Sequence, residues 1–200
     1  MVNKNKTQSS IRRQKRQRER FKTNVGLLIG GGVALIIFGF LIQNAFFRTP
    51  LGDSVPATGS GVHLPEGQPL PPYSTNPPTS GPHFTNTMPE GFYDETSPEA
   101  TGLPNPQGYL VHNLEHGYVI FWYNCAGLSP AGCGDLKTGI QTAMGAVNNF
   151  KVIAFPWPPL DVAVVATSWG RMLVMESFDP ELAAQFIQRN RNRAPEPNAR

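Results

Sequence analysis

The stretch YLVHNLEHGYVIFWY, residues 109–123, decides the fold of this chain. Its second half is a run of β-branched and aromatic residues, which is typical of a core strand. His112 and His116 precede that run. A spacing of four residues places two side chains on one side of the chain in a helix and in a strand alike. The stretch therefore predicts a buried strand with two imidazoles beside it, and it leaves the conformation of the histidine segment open.

The sequence that follows predicts two helices and three further strands. Behind Asp135, an expected N-cap, apolar residues recur at helical spacing, at Leu136, Ile140, Ala143, Met144 and Val147. Strands are predicted at residues 151–155, 162–167 and 171–176, the last two forming a hairpin. Asp179, Pro180 and Glu181 predict the start of a final helix that ends near Asn192. We therefore predict an α+β domain with a small, mostly antiparallel sheet and two helices.

Proline and glycine dominate the sequence before residue 109. Pro-Pro pairs at residues 71–72 and 77–78 and Gly-Pro at 81–82 exclude long helices, so a long proline-rich loop region is expected. Residues 48–62 are rich in Gly, Ser and Pro, and we predict that they form a flexible tether. The domain itself is predicted to span residues 63–196, with a short tail at 197–200.

An apolar run at residues 25–47 predicts one transmembrane helix, because no charged or strongly polar residue occurs between residues 26 and 42. The preceding residues 1–24 are strongly basic and predict a cytoplasmic tail. The lipid bilayer is thus an expected partner, and the domain after the helix is expected outside the membrane. A cleaved signal peptide is the alternative, but no small-x-small cleavage site follows the apolar run.

The charge is unevenly distributed along the chain. The formal net charge is +3, but residues 1–49 carry +9 and residues 50–200 carry −6. The basic pI therefore belongs to the segment at the membrane, where positive charge follows from topology and from attraction to anionic lipid. For this reason we do not expect the protein to bind nucleic acid.

Cys125 and Cys133 are separated by a short Gly/Pro-containing loop. A close pair in such a loop predicts a disulfide in an oxidising compartment. The alternative, a redox-active dithiol, more often has the spacing Cys-x-x-Cys.

The histidines predict a metal site in the domain. His83 lies in the proline-rich stretch NPPTSGPHF, residues 76–84, which holds its direction at little entropic cost. Together with His112 and His116 it offers three imidazoles, a set that suits copper or zinc. Met172 or Met175 could complete a copper site. Glu115 joins this side only if its segment is helical, and there it could bind the metal or orient a ring.

Two other interpretations remain open. In the first, the histidines are structural and the domain is an interaction module of the envelope. In the second, His112 and Glu115 transfer protons in a metal-free enzyme. His63, in the polar stretch SGVHLPEGQ, is expected to be a surface residue.

Three motifs of the chain resemble the bacterial DUF3105 family of membrane-anchored or secreted proteins without an assigned activity. They are YSTNPPTSGPH at residues 73–83, VHNLEHGYVIFWY at 111–123 and the closing pattern that begins SWGRMLVMESFDPE at residue 168. The resemblance covers residues 64–196 and implies a shared domain but no reaction. The motif positions that it implies here are Asn76, Pro77, Pro78, Ser80, Gly81, His83, His112, Glu115, His116 and Gly117.

Overall fold

The computed structural model describes residues 3–46 and 48–199; between residues 3 and 46 it describes the side chains of 12, 13, 15, 16, 18, 19, 22, 25, 26 and 28–41. The chain forms two units, residues 1–48 and 49–200. The helices are α1 (Asn3–Phe46), α2 (Pro98–Gly102), α3 (Pro106–Glu115), α4 (Pro130–Gly145) and α5 (Pro180–Asn190). The strands are β1 (Asp53–Ser54), β2 (His63–Leu64), β3 (His83–Phe84), β4 (Gly91–Phe92), β5 (Val119–Tyr123), β6 (Val152–Pro156), β7 (Val164–Ser168) and β8 (Arg171–Met175).

The first unit consists of helix α1. Within the described residues, no helix has an apolar stretch of the length needed to cross a bilayer. The predicted span at residues 25–47 includes residues 27 and 42–47, whose side chains lie outside the described residues. The transmembrane helix therefore stays a prediction.

The second unit is built on a six-stranded sheet of order β1-β8-β7-β5-β6-β4. β5 lies inside it, parallel to β6 and antiparallel to β7. β8 pairs antiparallel with β7 and β1, and β4 pairs parallel with β6. Three of the five pairings between these described strands are antiparallel, which confirms the predicted α+β class with a mostly antiparallel sheet. β5 and β6 are parallel because α4 connects them as a crossover.

Two apolar clusters cover the two faces of this sheet, since alternate side chains of β5 point to opposite sides. On one face, Phe121 packs with residues of α4 and α5, including Ile140 and Phe186. On the other face, Trp122 packs with α3 and β3 through Leu114 and Phe84. The second face carries the histidines.

Helix α3 settles the conformation of the histidine segment, which the sequence left open. Pro106 begins the helix and His116 is its C-cap residue. Gly117 follows with φ +84°, a left-handed conformation that ends the helix and costs glycine little. The prediction of only two helices in the domain was therefore incomplete.

The other helix boundaries agree in part with the sequence. Asp179 caps α5 as predicted and accepts from the amides of Glu181 and Leu182. Helix α4, however, begins at Pro130, and its N-cap is Ser129 rather than Asp135. Ser129 accepts a hydrogen bond from the amide of Gly132, so a hydroxyl seven residues before Leu136, the first residue of the apolar pattern, starts this helix.

The segment predicted as a flexible tether is bound to the domain instead. The main chain of Leu51 exchanges two hydrogen bonds with the side chain of Asn190, and β1 pairs with β8. At the other end of the chain, the carbonyl of Pro197 accepts from the ammonium of Lys151, although residues 197–200 were predicted to be a tail. Cys125 and Cys133 form the predicted disulfide.

Candidate metal centre

Glu115 is the last residue of α3, and hydrogen bonds to the main-chain carbonyls of residues 115–117 fix the turn that carries it. The carbonyls of Glu115 and Gly117 accept from the amides of Glu196 and Asn192, at 3.0 and 2.8 Å. The carbonyl between them, that of His116, accepts from the Lys151 ammonium at 2.8 Å. These bonds satisfy carbonyls that a helix end leaves without helical partners. The C-terminal segment and Lys151 therefore hold the turn that carries Glu115.

The side chain of Glu115 is fully buried. Its Oε1 accepts from the Gly61 amide at 2.7 Å. Burial alone raises the pKa of this carboxyl, but the Gly61 amide, the Ser60 hydroxyl and the nearby imidazoles of His83 and His63 outweigh it and lower the pKa overall. Glu115 is thus a buried anion whose second oxygen, Oε2, faces the histidines.

His83 reaches this carboxylate from β3. Its Nδ1 lies 2.8 Å from the Gly81 carbonyl, which only accepts, so Nδ1 carries the proton. In the form of the ring that carries only this proton, Nε2 presents a lone pair, and it lies 3.0 Å from Glu115 Oε2. This bond to a carbonyl is the usual way in which a metal-ligating imidazole is oriented.

The contact between His83 and Glu115 brings two acceptors together. Both side chains are fully buried, and neither His83 Nε2 nor Glu115 Oε2 has a partner in hydrogen-bond geometry, although they are 3.0 Å apart. Two lone pairs at this distance repel each other unless a cation, either a proton or a metal ion, lies between or beside them. The arrangement of these two atoms therefore calls for a positive charge.

His112 and His63 complete the group. Their Nε2 atoms are 3.4 Å apart, and His63 Nε2 is 3.9 Å from Glu115 Oε2. Burial, followed by the imidazoles of His116 and His83, lowers the pKa of His112 to about 4, so this ring is neutral at pH 7 and can bind a metal. The side chain of His63 is 35% exposed, and it lies at the rim of the cluster.

The four side chains converge at ligand distances. One atom from each of His63, His83, His112 and Glu115 can be chosen so that all four lie within 4.8 Å of one another. Four ligands about 2.0–2.1 Å from a tetrahedral metal are roughly 3.3 Å apart, a value within the range of separations found here. This buried His/Glu group therefore has the composition and the spacing to hold a metal ion.

The structure places His116 beside this group rather than in it. The rings of His112 and His116 are in contact, with centroids 4.4 Å apart, but His116 Nε2 lies 3.5 Å from Glu196 Oε2. Within the described residues, the convergent set contains His63 in place of His116. The i, i+4 spacing thus brought the two rings into contact, while Nε2 of His116 lies beside Glu196.

The two candidate methionines lie on different faces of the sheet. Met172 packs with the cluster on the histidine face, which includes Trp169, a neighbour of His83. Met175 is buried in the cluster on the opposite face. Met175 is therefore separated from the imidazoles by the sheet, because positions 172 and 175 of β8 point to opposite sides.

His63 is the residue that sequence reasoning missed. Its main chain pairs in parallel with His83, so that His63–Leu64 stands beside His83–Phe84. The repeated pattern of a histidine followed by a large apolar residue, with one of the two in a conspicuous motif, was the available signal. The polar surroundings of His63 concealed it.

The predicted acid-base pair of His112 and Glu115 is not the closest imidazole–carboxylate contact, since His83 is the ring nearest to Glu115. The other convergent group of the described residues, Glu95 with Cys125 and Cys133, has both sulfurs in the disulfide.

Comparison with known proteins gives a family but no activity. No curated protein and no solved structure matches the chain. Residues 63–200 match the family described as protein of unknown function, DUF3105. The match begins at His63 and includes all four side chains of the cluster. This chain belongs to the DUF3105 family.

Proposed function

We propose that the domain binds one divalent transition-metal ion through His63, His83, His112 and Glu115. The observation that carries the proposal is the buried approach of two acceptors, His83 Nε2 and Glu115 Oε2, at 3.0 Å. A metal ion bound by both atoms removes their repulsion and neutralises a carboxylate that is out of contact with water.

The donor set favours zinc or copper(II). Three imidazole nitrogens and one carboxylate oxygen suit these ions, whereas copper(I) prefers sulfur ligands. Met175 lies across the sheet from the imidazoles, which argues against it as a ligand in a His/Met copper site. With four protein ligands, the centre resembles a closed structural site more than a catalytic one.

The second candidate is a metal-free structural role, in which a protonated His83 and an ionised Glu115 form a buried ion pair. The same 3.0 Å contact favours it, and the domain would then be an interaction module of the envelope. Removing one partner of such a pair costs about 3–5 kcal/mol of folding free energy. The two candidates therefore predict different behaviour of Glu115 variants.

The ligand set can be tested by comparing His63→Ala with the matched variant His116→Ala. We expect the purified full-length chain to bind one zinc ion. His63→Ala is expected to weaken zinc binding by at least about tenfold, because even loss of a group that orients a ligand costs 10- to 100-fold. His116→Ala is expected to keep the affinity within a few-fold. Competition titration with a zinc-binding dye measures both.

The reverse ranking, with His116→Ala weakening zinc binding more than His63→Ala, would restore the set predicted from sequence. A folded wild-type chain that binds neither zinc nor copper(II) would contradict the proposal as a whole.

We propose further that α1 anchors the protein in the cytoplasmic membrane, with the domain on the extracytoplasmic side. The apolar run and the basic residues before it support this. Leu35 and Ile36 of α1 are 72% and 73% exposed, and a lipid bilayer would bury these apolar side chains. The disulfide also supports an oxidising compartment.

Location is tested in intact cells. We expect the protein to remain in the membrane fraction after alkaline washing, with Cys125 and Cys133 unreactive to a thiol reagent until a reductant is added. Release by alkali would contradict the anchor, and thiols that react in unreduced cells would contradict the extracytoplasmic location.

A further inference from the structure

We propose that metal binding and docking of residues 57–64 onto the domain are coupled, so that the metal fastens this segment in place. Residues 57–64 are called the docking segment below. The inference rests on the metal centre proposed above and adds a regulated element to it: occupancy of the centre sets whether the docking segment is bound or released.

Two main-chain hydrogen bonds of the docking segment, those of Gly61 and Val62, end at Glu115 and His83 of the centre. The amide of Thr58 donates to Ser80 Oγ at 3.1 Å, and the carbonyl of Val62 accepts from the His83 amide at 3.1 Å. Its strand, β2, pairs with β3 over only two residues. Such short pairing with little buried apolar surface is typical of segments that open locally.

Glu115 links the docking segment to the metal. Its Oε1 accepts from the Gly61 amide of the segment at 2.7 Å, while its Oε2 faces His83 at 3.0 Å. His63, a proposed ligand, is itself part of the segment. The metal would thus be bound by one side chain of the segment and by the carboxylate that holds the segment's main chain.

Without the metal, the same geometry favours release. With His83 neutral, its Nε2 and Glu115 Oε2 then face each other as two acceptors in a buried site. Lifting the docking segment admits water to both atoms. It breaks the hydrogen bonds described above, the contact of the Ser60 hydroxyl with Glu115 and the packing of Leu64 against the apolar cluster. The His63 side chain, already 35% exposed, lies on the side from which water would enter.

Gly59 allows the coupling to be tested without replacing a ligand side chain. Its Cα approaches the Gly81–Pro82 peptide so closely that a Cβ would lie 2.5 Å from the Gly81 carbonyl carbon. Gly59→Ala should therefore lift the segment without removing a ligand. Gly67→Ala is the matched control, because Gly67 has a similar φ, +79° against +71°, and open space around its Cβ.

The first experiment uses the wild-type full-length chain in detergent, with hydrogen exchange followed by mass spectrometry in zinc chloride and in EDTA. We expect zinc to slow exchange of the docking-segment amides and of the His83 amide by about tenfold or more. In the second experiment, Gly59→Ala is expected to lower zinc affinity about tenfold, since coupling is reciprocal, and Gly67→Ala is expected to leave it unchanged.

Zinc bound by the wild type without any change in exchange of the docking segment would overturn the coupling and leave the metal centre intact. Equal zinc affinities of the Gly59→Ala and Gly67→Ala variants would do the same. Absence of zinc binding by the wild type would instead overturn the proposed function on which this inference rests.

Discussion

Glu115→Gln is expected to weaken zinc binding by more than about 100-fold while leaving the stability of the metal-free protein nearly unchanged. The substitution preserves the shape of the side chain but removes its charge. An amide at this position can donate to the lone pair on His83 Nε2, where the carboxylate opposes it at 3.0 Å. The variant therefore loses the metal ligand and also loses the repulsion that the metal relieves.

Chemical denaturation with and without zinc measures both parts of this prediction. At a free zinc concentration 100 times the dissociation constant, the wild type should gain about 2.7 kcal/mol of unfolding free energy, and Glu115→Gln should gain almost none. A loss of about 3–5 kcal/mol by the metal-free variant would instead identify a buried ion pair. Zinc-dependent stabilisation equal to that of the wild type would contradict a role for Glu115 as a ligand.

Leu114→Ala is expected to lower the unfolding free energy by about 2–5 kcal/mol, measured by urea denaturation in EDTA. Leu114 is fully buried and packs in the cluster that contains Phe84 and Trp122. Leu114 precedes Glu115 at the end of α3. The apolar cluster in which it packs includes Phe84, which follows His83 on β3. Truncation therefore opens a cavity in the core that supports two of the proposed ligands.

Leu128→Ala is the matched control, because Leu128 is 36% exposed and the same truncation there should change the free energy by no more than about 0.5 kcal/mol. Equal effects of the two variants would show that the histidine face of the sheet does not depend on α3 packing. Zinc should stabilise Leu114→Ala as well, since none of the four ligands is altered.

The sequence predicted the elements whose signals are local. The second half of the stretch 109–123 was predicted as a core strand, and β5 (Val119–Tyr123) is buried at every position. The cap at Asp179 and the hairpin of β7 and β8 also follow from neighbouring residues, through turn and capping chemistry. The two-residue strands β2 and β3 carry no such signal, because their pairing depends on segments about 20 residues apart.

Of the three histidines predicted to share a site, the structure brings two together and adds a fourth histidine that the prediction did not include. His83 and His112 do lie together, with ring centroids 4.9 Å apart. His63 joined them because β2 pairs with β3, a contact that no periodicity in the sequence indicates. Glu115 became part of the group only when its segment proved helical.

The sequence by itself determined the family, the α+β class, the closeness of the two cysteines and the presence of imidazoles beside a buried strand, since each depends on residue types at short spacing. Only the tertiary structure decided which imidazoles share a centre. His116 and His63 differ little as residues, but the end of α3 directs His116 toward Glu196, while pairing with β3 brings His63 to Glu115. The reason is physical: spacing along the chain fixes which face a side chain occupies, whereas the point at which its donor atom arrives depends on every segment packed around it.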